Sequence, residues 1–382
     1  MKRPVREYFP DNYADSRARF AKLADQIKSP GEKGSWKIDS KKDQDLFVDH
    51  LWLPALKTPE TLVVIISGIH GSETYAGAAI QTLFLEEMLP KVNRDRVGIF
   101  LVHAMNPYGF KYHRRRTENS VNLNRNFSVS GDLFKIKNPD SNRYCDLFIE
   151  RSKVQSFDSK LKKSLRRENG KIFFGEVSLA QWTQAVSPGQ FERREDLEFG
   201  GHDLEPQTRA LIEKMKELMP PYKDVIGLDL HTGLGDPGRL HILTDGKGTC
   251  LHPQLIAELI HEEEDREFYV FTPATEEGFY QVHGSTNSMF GDLAKPNQRV
   301  CALVLEFGTL GHTLEDQIDG WNRALIDHQG EQYGYVTPEM QKEAIRSNFL
   351  RSYPDSDVWR RQVLEASEGF LLRILARAGA FP

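Results

Sequence analysis

The sequence predicts an α/β fold: a mixed, mostly parallel central sheet with helices on both faces. Three observations carry this. Four short apolar runs, at 62–69, 97–104, 224–230 and 300–307, are rich in β-branched residues and read as buried strands. The first two flank an amphipathic helical stretch, which makes a βαβ unit with a parallel pair. The same alternation of strand and helix returns after a long polar middle segment.

The elements follow in order. The chain opens with a loop and a helix near 15–27. A turn-rich stretch, SPGEKGS, occupies 29–35, and 44–53 reads as a strand. The run LVVIISGI, 62–69, breaks at His70-Gly71. A helix at 76–88 is ended by Pro90, and the strand 97–104 closes at Asn106-Pro107. Residues 128–222 are polar and highly charged, with helical patterns near 142–167 and 206–218, and read as a largely helical insertion. Then come strands at 224–230 and 239–244, a helix at 253–264, and strands at 268–271 and 300–307. The tail, 338–382, reads as a helical extension with an amphipathic helix at 357–377. The whole of 1–382 is expected to be one catalytic domain carrying that insertion and extension.

Composition narrows the function. Apolar residues make up 39 % of the 382, too many for a disordered chain. The net charge of −5 speaks against a general nucleic-acid binder, so no nucleic-acid partner is expected. No apolar run approaches the ~18 residues of a membrane helix, and the N-terminus lacks the apolar core of a secretion signal. Cys145, Cys250 and Cys301 are odd in number and far apart, which speaks against a disulfide framework or a Cys-rich zinc cluster. A cytoplasmic protein with no membrane partner is the expectation.

Open α/β sheets bind ligands beyond the carboxyl ends of their strands. At those ends stand His70-Gly71-Ser72-Glu73, then Asn106-Pro107-Tyr108-Gly109-Phe110, then His231-Thr232-Gly233; Glu306 lies within the last strand. Two histidines and two glutamates converging there have the composition of a catalytic zinc site: three N/O ligands, an open position and a nearby carboxylate base. The H-x-x-E spacing alone decides little, because it occurs five times among the twelve histidines. Only His70/Glu73 directly follows a buried strand. Taken singly, His231 also reads as a core histidine, Glu306 as half of a structural ion pair, Arg114-Arg115-Arg116 as a solvated basic loop, and Asn124-Arg125 as a turn with a surface salt bridge.

The motifs GIHGSE, NPYGF, NLNRNF, LDLHTG and LEFGT, spanning 68–309, stand in the order found in zinc carboxypeptidases. The chain thereby resembles the carboxypeptidase A-like superfamily, which also holds the aspartoacylase and succinylglutamate desuccinylase deacylases. It is more similar to bacterial carboxypeptidase-like proteins of unassigned substrate than to the digestive enzymes. The resemblance implies one Zn²⁺ per chain, held by His70, Glu73 and His231, with Glu306 as general base. It implies Arg115, or its neighbour Arg116, beside the scissile carbonyl, Asn124 and Arg125 as a clamp on the substrate's carboxylate, and Tyr280 as a mobile cover. The implied activity is a metallopeptidase, first a carboxypeptidase, cleaving an amide next to a free carboxylate in a peptide or N-acyl amino acid. An N-acyl-amino-acid deacylase and a murein-peptide amidase are variants of that chemistry. A catalytically inactive binding protein on the same fold is the rival from another class, and the retention of three ligands and Glu306 speaks against it.

Three departures stand out. Asn122 occupies the place of the usual Asp in V-D-L-N-R-N-F, so either metal affinity is lower or another acid serves. Thr286 and Asn287, near the expected side-chain pocket, are small and polar. The gap of 157 residues between Glu73 and His231 (231 − 73 − 1) is long for the family, and the excess is assigned to the insertion.

Overall fold

The computed structural model describes residues 1–169, 171–244, 251–272, 282–311 and 313–381. Its strands are β1 (Glu32–Lys37), β2 (Phe47–Leu53), β3 (Thr61–Ser67), β4 (Val97–His103), β5 (Leu165–Glu168), β6 (Lys171–Phe174), β7 (Val177–Ser178), β8 (Asp224–Gly233), β9 (Leu240–Leu243), β10 (Tyr269–Thr272) and β11 (Arg299–Gly308). The helices of the first half are α1 (Tyr13–Asp25), α2 (Thr74–Leu83), α3 (Pro107–Tyr112), α4 (Pro139–Phe148), α5 (Lys160–Lys163), α6 (Leu179–Val186) and α7 (Pro206–Leu218). Those of the second half are α8 (Pro253–Leu259), α9 (Glu262–Asp265), α10 (Thr286–Leu293), α11 (Leu314–Tyr333), α12 (Pro338–Ser352) and α13 (Asp357–Arg377).

Eight strands form one sheet in the order β1-β2-β4-β3-β8-β11-β9-β10. The four central strands, β4, β3, β8 and β11, run parallel; β2 and β9 pair antiparallel to the outer two. The central strands are apolar on both faces because both faces are covered. Val63, Ile65, Leu228 and Leu303 pack on one side with residues of α1, α2 and α13. Leu62, Val64, Val102 and Val225 pack on the other with residues of α7 and α10. The chain leaves β3 toward β4 on one side of the sheet and leaves β8 toward β9 on the other, so the crevice between β3 and β8 is a topological switch point.

The expected sheet and helices are present, with differences. The stretch read as a turn at 29–35 runs into β1, an edge strand whose residues are mostly exposed and show no apolar alternation. The helix expected at 253–264 is two, α8 and α9. The long helix α11 was not foreseen. The insertion is corrected from helical to mixed: the pattern near 142–167 resolves into α4, the single turn α5 and β5, and β5-β6-β7 form an antiparallel sheet. Ile172 and Phe174 of β6 alternate inward, joining Phe148, Trp182 and Leu197 in a second core that also packs on Ile318 and Leu325 of α11. The extension is helical as expected. Among the described residues no helix is long and apolar enough to cross a membrane.

Candidate metal centre

Two motif loops interlock at the switch point. β3 ends at Ser67, Gly68 turns the chain with φ +76°, and a 3-10 turn over Gly71–Glu73 leads into α2. Gly71 lies against Gly109: a Cβ on Gly71 would stand 2.1 Å from the Gly109 carbonyl carbon, so only glycine fits. The Gly71 and Ser72 amides donate to the carbonyls of Arg115 (3.3 Å) and Arg114 (3.1 Å). Asn106 caps α3 through the Gly109 amide (2.8 Å) and donates to the Arg115 carbonyl (3.1 Å). The glycines and asparagine of GIHGSE and NPYGF thus fix the loop that carries Arg115 against the loop that carries His70 and Glu73.

His70, Glu73 and His231 meet at one point, all three buried. His70 Nδ1 lies 2.9 Å from Glu73 Oε1 and 3.2 Å from His231 Nδ1; His231 Nδ1 lies 3.0 Å from Glu73 Oε2. Ligand atoms about 2.1 Å from a common tetrahedral ion would be about 3.4 Å apart, so small shifts admit one. The outward ring nitrogen of each histidine faces an oxygen atom. His70 Nε2 faces Asn122 Oδ1 at 3.1 Å, and His231 Nε2 lies 2.9 Å from Asp229 Oδ2. Asn122 is oriented by its neighbours, since its Nδ2 donates to Glu198 and its Oδ1 also accepts from the Asn124 amide. His70 must therefore carry its proton on Nε2, leaving the Nδ1 lone pair directed at the cluster.

Electrostatics agrees. Burial, then the Arg115 charge, lowers the His70 pKa to about 4. Burial disfavours charge on His231, but the carboxylates of Asp229 and Glu73 raise its pKa well above 6.5. Burial likewise opposes ionisation of Glu73, which His70 and His231 overcome by charge and hydrogen bonds, holding it well below 4.5. The two carboxylates beside His231 thus favour positive charge at this point. Two imidazole nitrogens and a carboxylate with oriented outer partners fit a divalent ion such as zinc.

Glu306 pairs with His231 in the β11–β8 register, and its Oε1 accepts the Leu234 amide at 2.9 Å. Burial, then the Glu73 charge, raises its carboxyl to about 7. Arg115 Nη1 lies 3.1 Å from Glu73 Oε1, and its Nε 3.9 Å from Glu198. Arg115 is thus the member of the basic run that reaches the centre.

Other expected residues are placed differently. Arg116 is corrected from a substrate contact to a buried ion pair: Nε and Nη2 donate to Glu331 of α11 at 3.2 and 2.8 Å. Arg114 pairs in the same way with Asp327. Arg125 is buried and already engaged: Nε and Nη2 donate to the Ser187 carbonyl (2.9 and 2.6 Å), Nη1 to the Asn124 carbonyl (2.8 Å), and Glu198 lies 3.5 Å away. Its fork is not free to grip a carboxylate as placed. Asn124 Oδ1 accepts the Thr286 amide at 3.1 Å, and Thr286 and Asn287 are buried beside it with Thr286 Oγ1 and the Asn287 amide atoms unpaired. Tyr280 lies outside the described residues.

Two functional candidates were missed. Asp229 had a readable signal: residues two apart in a strand share a face, so it must sit beside His231. Glu198 had none. It comes from the insertion, is held at φ +50°, and supplies the acid that Asn122 lacks, lying between Asn122, Arg115 and Arg125. Burial pushes its carboxyl up, but Arg115 and Arg125 hold it at about 2.

The chain is similar to several solved structures. Against bovine thrombin-activatable fibrinolysis inhibitor, solved with a tick carboxypeptidase inhibitor, identity is 12 % over 96 % of this chain and 98 % of that one, with a TM-score of 0.49. Against a metallo-carboxypeptidase from Pseudomonas aeruginosa in complex with (2-guanidinoethylmercapto)succinic acid the values are 14 %, 96 %, 71 % and 0.43. Against the murein-tripeptide amidase MpaA of Escherichia coli O157 they are 16 %, 81 %, 95 % and 0.34. No curated protein matches the chain in sequence. A family model described as "Protein of unknown function (DUF2817)" matches residues 9–366, and the chain belongs to that family.

Proposed function

We propose that the protein is a metal-dependent amide hydrolase, zinc being the ion its donor set suits, and that it acts as a carboxypeptidase on substrates with a free carboxylate near the scissile bond. One observation carries the reading: His70, Glu73 and His231 meet at one point with Asn122 and Asp229 behind the two histidines, and the Glu306 carboxyl stands in register with His231. An ion bound there supplies Lewis acidity, which makes water reactive at neutral pH. Glu306 takes the water's proton and returns it to the leaving amine. Arg115 stabilises negative charge developing on the carbonyl oxygen. Asn122 and Glu198 orient His70, and Asp229 orients His231.

The test is elemental analysis of the purified chain with a panel of peptides, N-acyl amino acids and murein peptides. About one metal per chain and turnover of one class, lost in Glu306→Gln with metal retained, supports the reading and distinguishes peptidase, deacylase and amidase. Metal retained with no turnover of any class, but with a peptide bound, would transfer the protein to the inactive binding class.

A further inference from the structure

The C-terminal extension brings one more arginine, Arg351, next to the ligand-bearing loops. The Ser352 carbonyl, at the end of α12, accepts a 2.6 Å bond from Thr232 Oγ1, and its hydroxyl a 3.1 Å bond from Ser72. Thr232 follows the ligand His231, and Ser72 lies between His70 and Glu73. The last turn of α12 is therefore moored to both ligand-bearing loops. Arg351 is the residue just before that mooring.

Arg351 differs from the other arginines around the centre. Its Nε is buried with no hydrogen-bond partner, and among the described residues no carboxylate forms an ion pair with it. Its guanidinium runs along α11 at Gly320, where a Cβ would stand 3.4 Å from Nε and 3.7 Å from Nη2. Burial and the Arg115 charge lower its pKa, while Glu73, Glu198 and Glu306 act the other way, which puts it in the field of the metal centre. Arg114 and Arg116, by contrast, are each matched to a carboxylate of α11. Arg125 spends its donors on backbone carbonyls beside Glu198. A half-buried guanidinium with no counter-charge among the described residues is unfavourable unless another group, such as a ligand, brings one.

We propose that Arg351 is the substrate-anion anchor of this site, so that the substrates are amides whose free carboxylate docks on the end of α12. The identity of the bond cleaved rests on the hydrolase reading; the anion site does not. Arg351 is assigned to binding specificity, because a guanidinium matches a carboxylate by two parallel hydrogen bonds.

The test uses the full-length, metal-loaded chain. Binding of N-acetylglycine and of N-acetylglycinamide is measured by calorimetry for wild type, Arg351→Met and Arg351→Lys, with metal content determined for each. The expected result is a carboxylate preference of at least tenfold in wild type, abolished in Arg351→Met and partly kept in Arg351→Lys, with carboxamide affinity and metal content unchanged. On any substrate the wild type turns over, Arg351→Met should raise KM at least tenfold for the carboxylate form and change kcat by less than threefold. Three results would each overturn the anchor: no carboxylate preference in wild type, unchanged preference in a metal-replete Arg351→Met, or equal weakening of both ligands. Should Arg351→Met fail to fold, Arg351→Lys decides, since undiminished preference with an ammonium at 351 also refutes a guanidinium fork. A wild type that prefers carboxylates through Arg351 but hydrolyses nothing would refute the hydrolase reading and leave the anchor standing.

Discussion

Glu198→Gln isolates what the insertion contributes to the centre. The substitution keeps the shape and removes the charge. In the folded chain the Glu198 carboxyl is held at about 2 against an ordinary 4.5, because the Arg115 and Arg125 charges outweigh the effect of its burial. At ~1.4 kcal/mol per pH unit of displacement, that corresponds to about 3 kcal/mol of stability at pH 7. The sign is set by depression: the contribution is complete above about 4.5 and is lost as pH falls toward 2. Urea unfolding of the metal-free protein should therefore show a gap of about 3 kcal/mol between wild type and variant at pH 7, narrowing only below about pH 4.5. Metal affinity, read by competition with a chromophoric chelator, should fall about tenfold, since Asn122 loses its ionised partner behind His70. A gap below about 0.5 kcal/mol at pH 7 together with unchanged metal affinity would refute the role of Glu198.

Further expectations concern the ion and its neighbours. Glu306→Gln should keep the metal and lose about 10²–10⁴ in kcat/KM; loss of metal as well would make Glu306 a ligand and not a base. The Glu306 carboxyl stands near 7 without an ion, and bound positive charge must lower it, so the rising limb of the kcat/KM–pH profile should lie below 7. Arg115→Ala should cost about 10²–10³ in kcat. Arg116→Ala should instead cost about 3–5 kcal/mol of stability by leaving Glu331 buried and unpaired, with kcat per folded molecule intact; the opposite pattern would exchange their roles. Because Asp229 and Glu73 raise the His231 pKa well above 6.5, metal uptake at pH 7 should release about one proton, seen by calorimetry in buffers of different ionisation enthalpy. Uptake without proton release would contradict that charge assignment.

How much of this was readable in the sequence depended on whether a signal was local. The central strands announced themselves through β-branched runs buried on both faces, and the ligands through their place directly beyond those runs. Edge strand β1 lacked apolar alternation because Trp36 is its one large apolar residue and most of its others are exposed. The turns α5 and α9 and the small sheet of the insertion are too short for periodicity to resolve. Asn122 announced that an acid was missing, but no spacing rule could point 76 residues onward to Glu198. Arg125 fits its motif, yet the Ser187 carbonyl that occupies it comes from the insertion. Arg351 sits in an unremarkable helical stretch and gains meaning only where α12 ends.

The bond from Ser72 to Ser352 spans 280 positions of the chain. Closing so large a loop carries an entropic penalty that grows only logarithmically with its length, but contacts of this range form slowly. The cradle for the ion is itself non-local, its two histidines standing 161 positions apart, and the rim that holds Arg351 is tied to the same strand end across 120 positions. Refolding should consequently be slow and bring metal uptake and ligand selectivity back together.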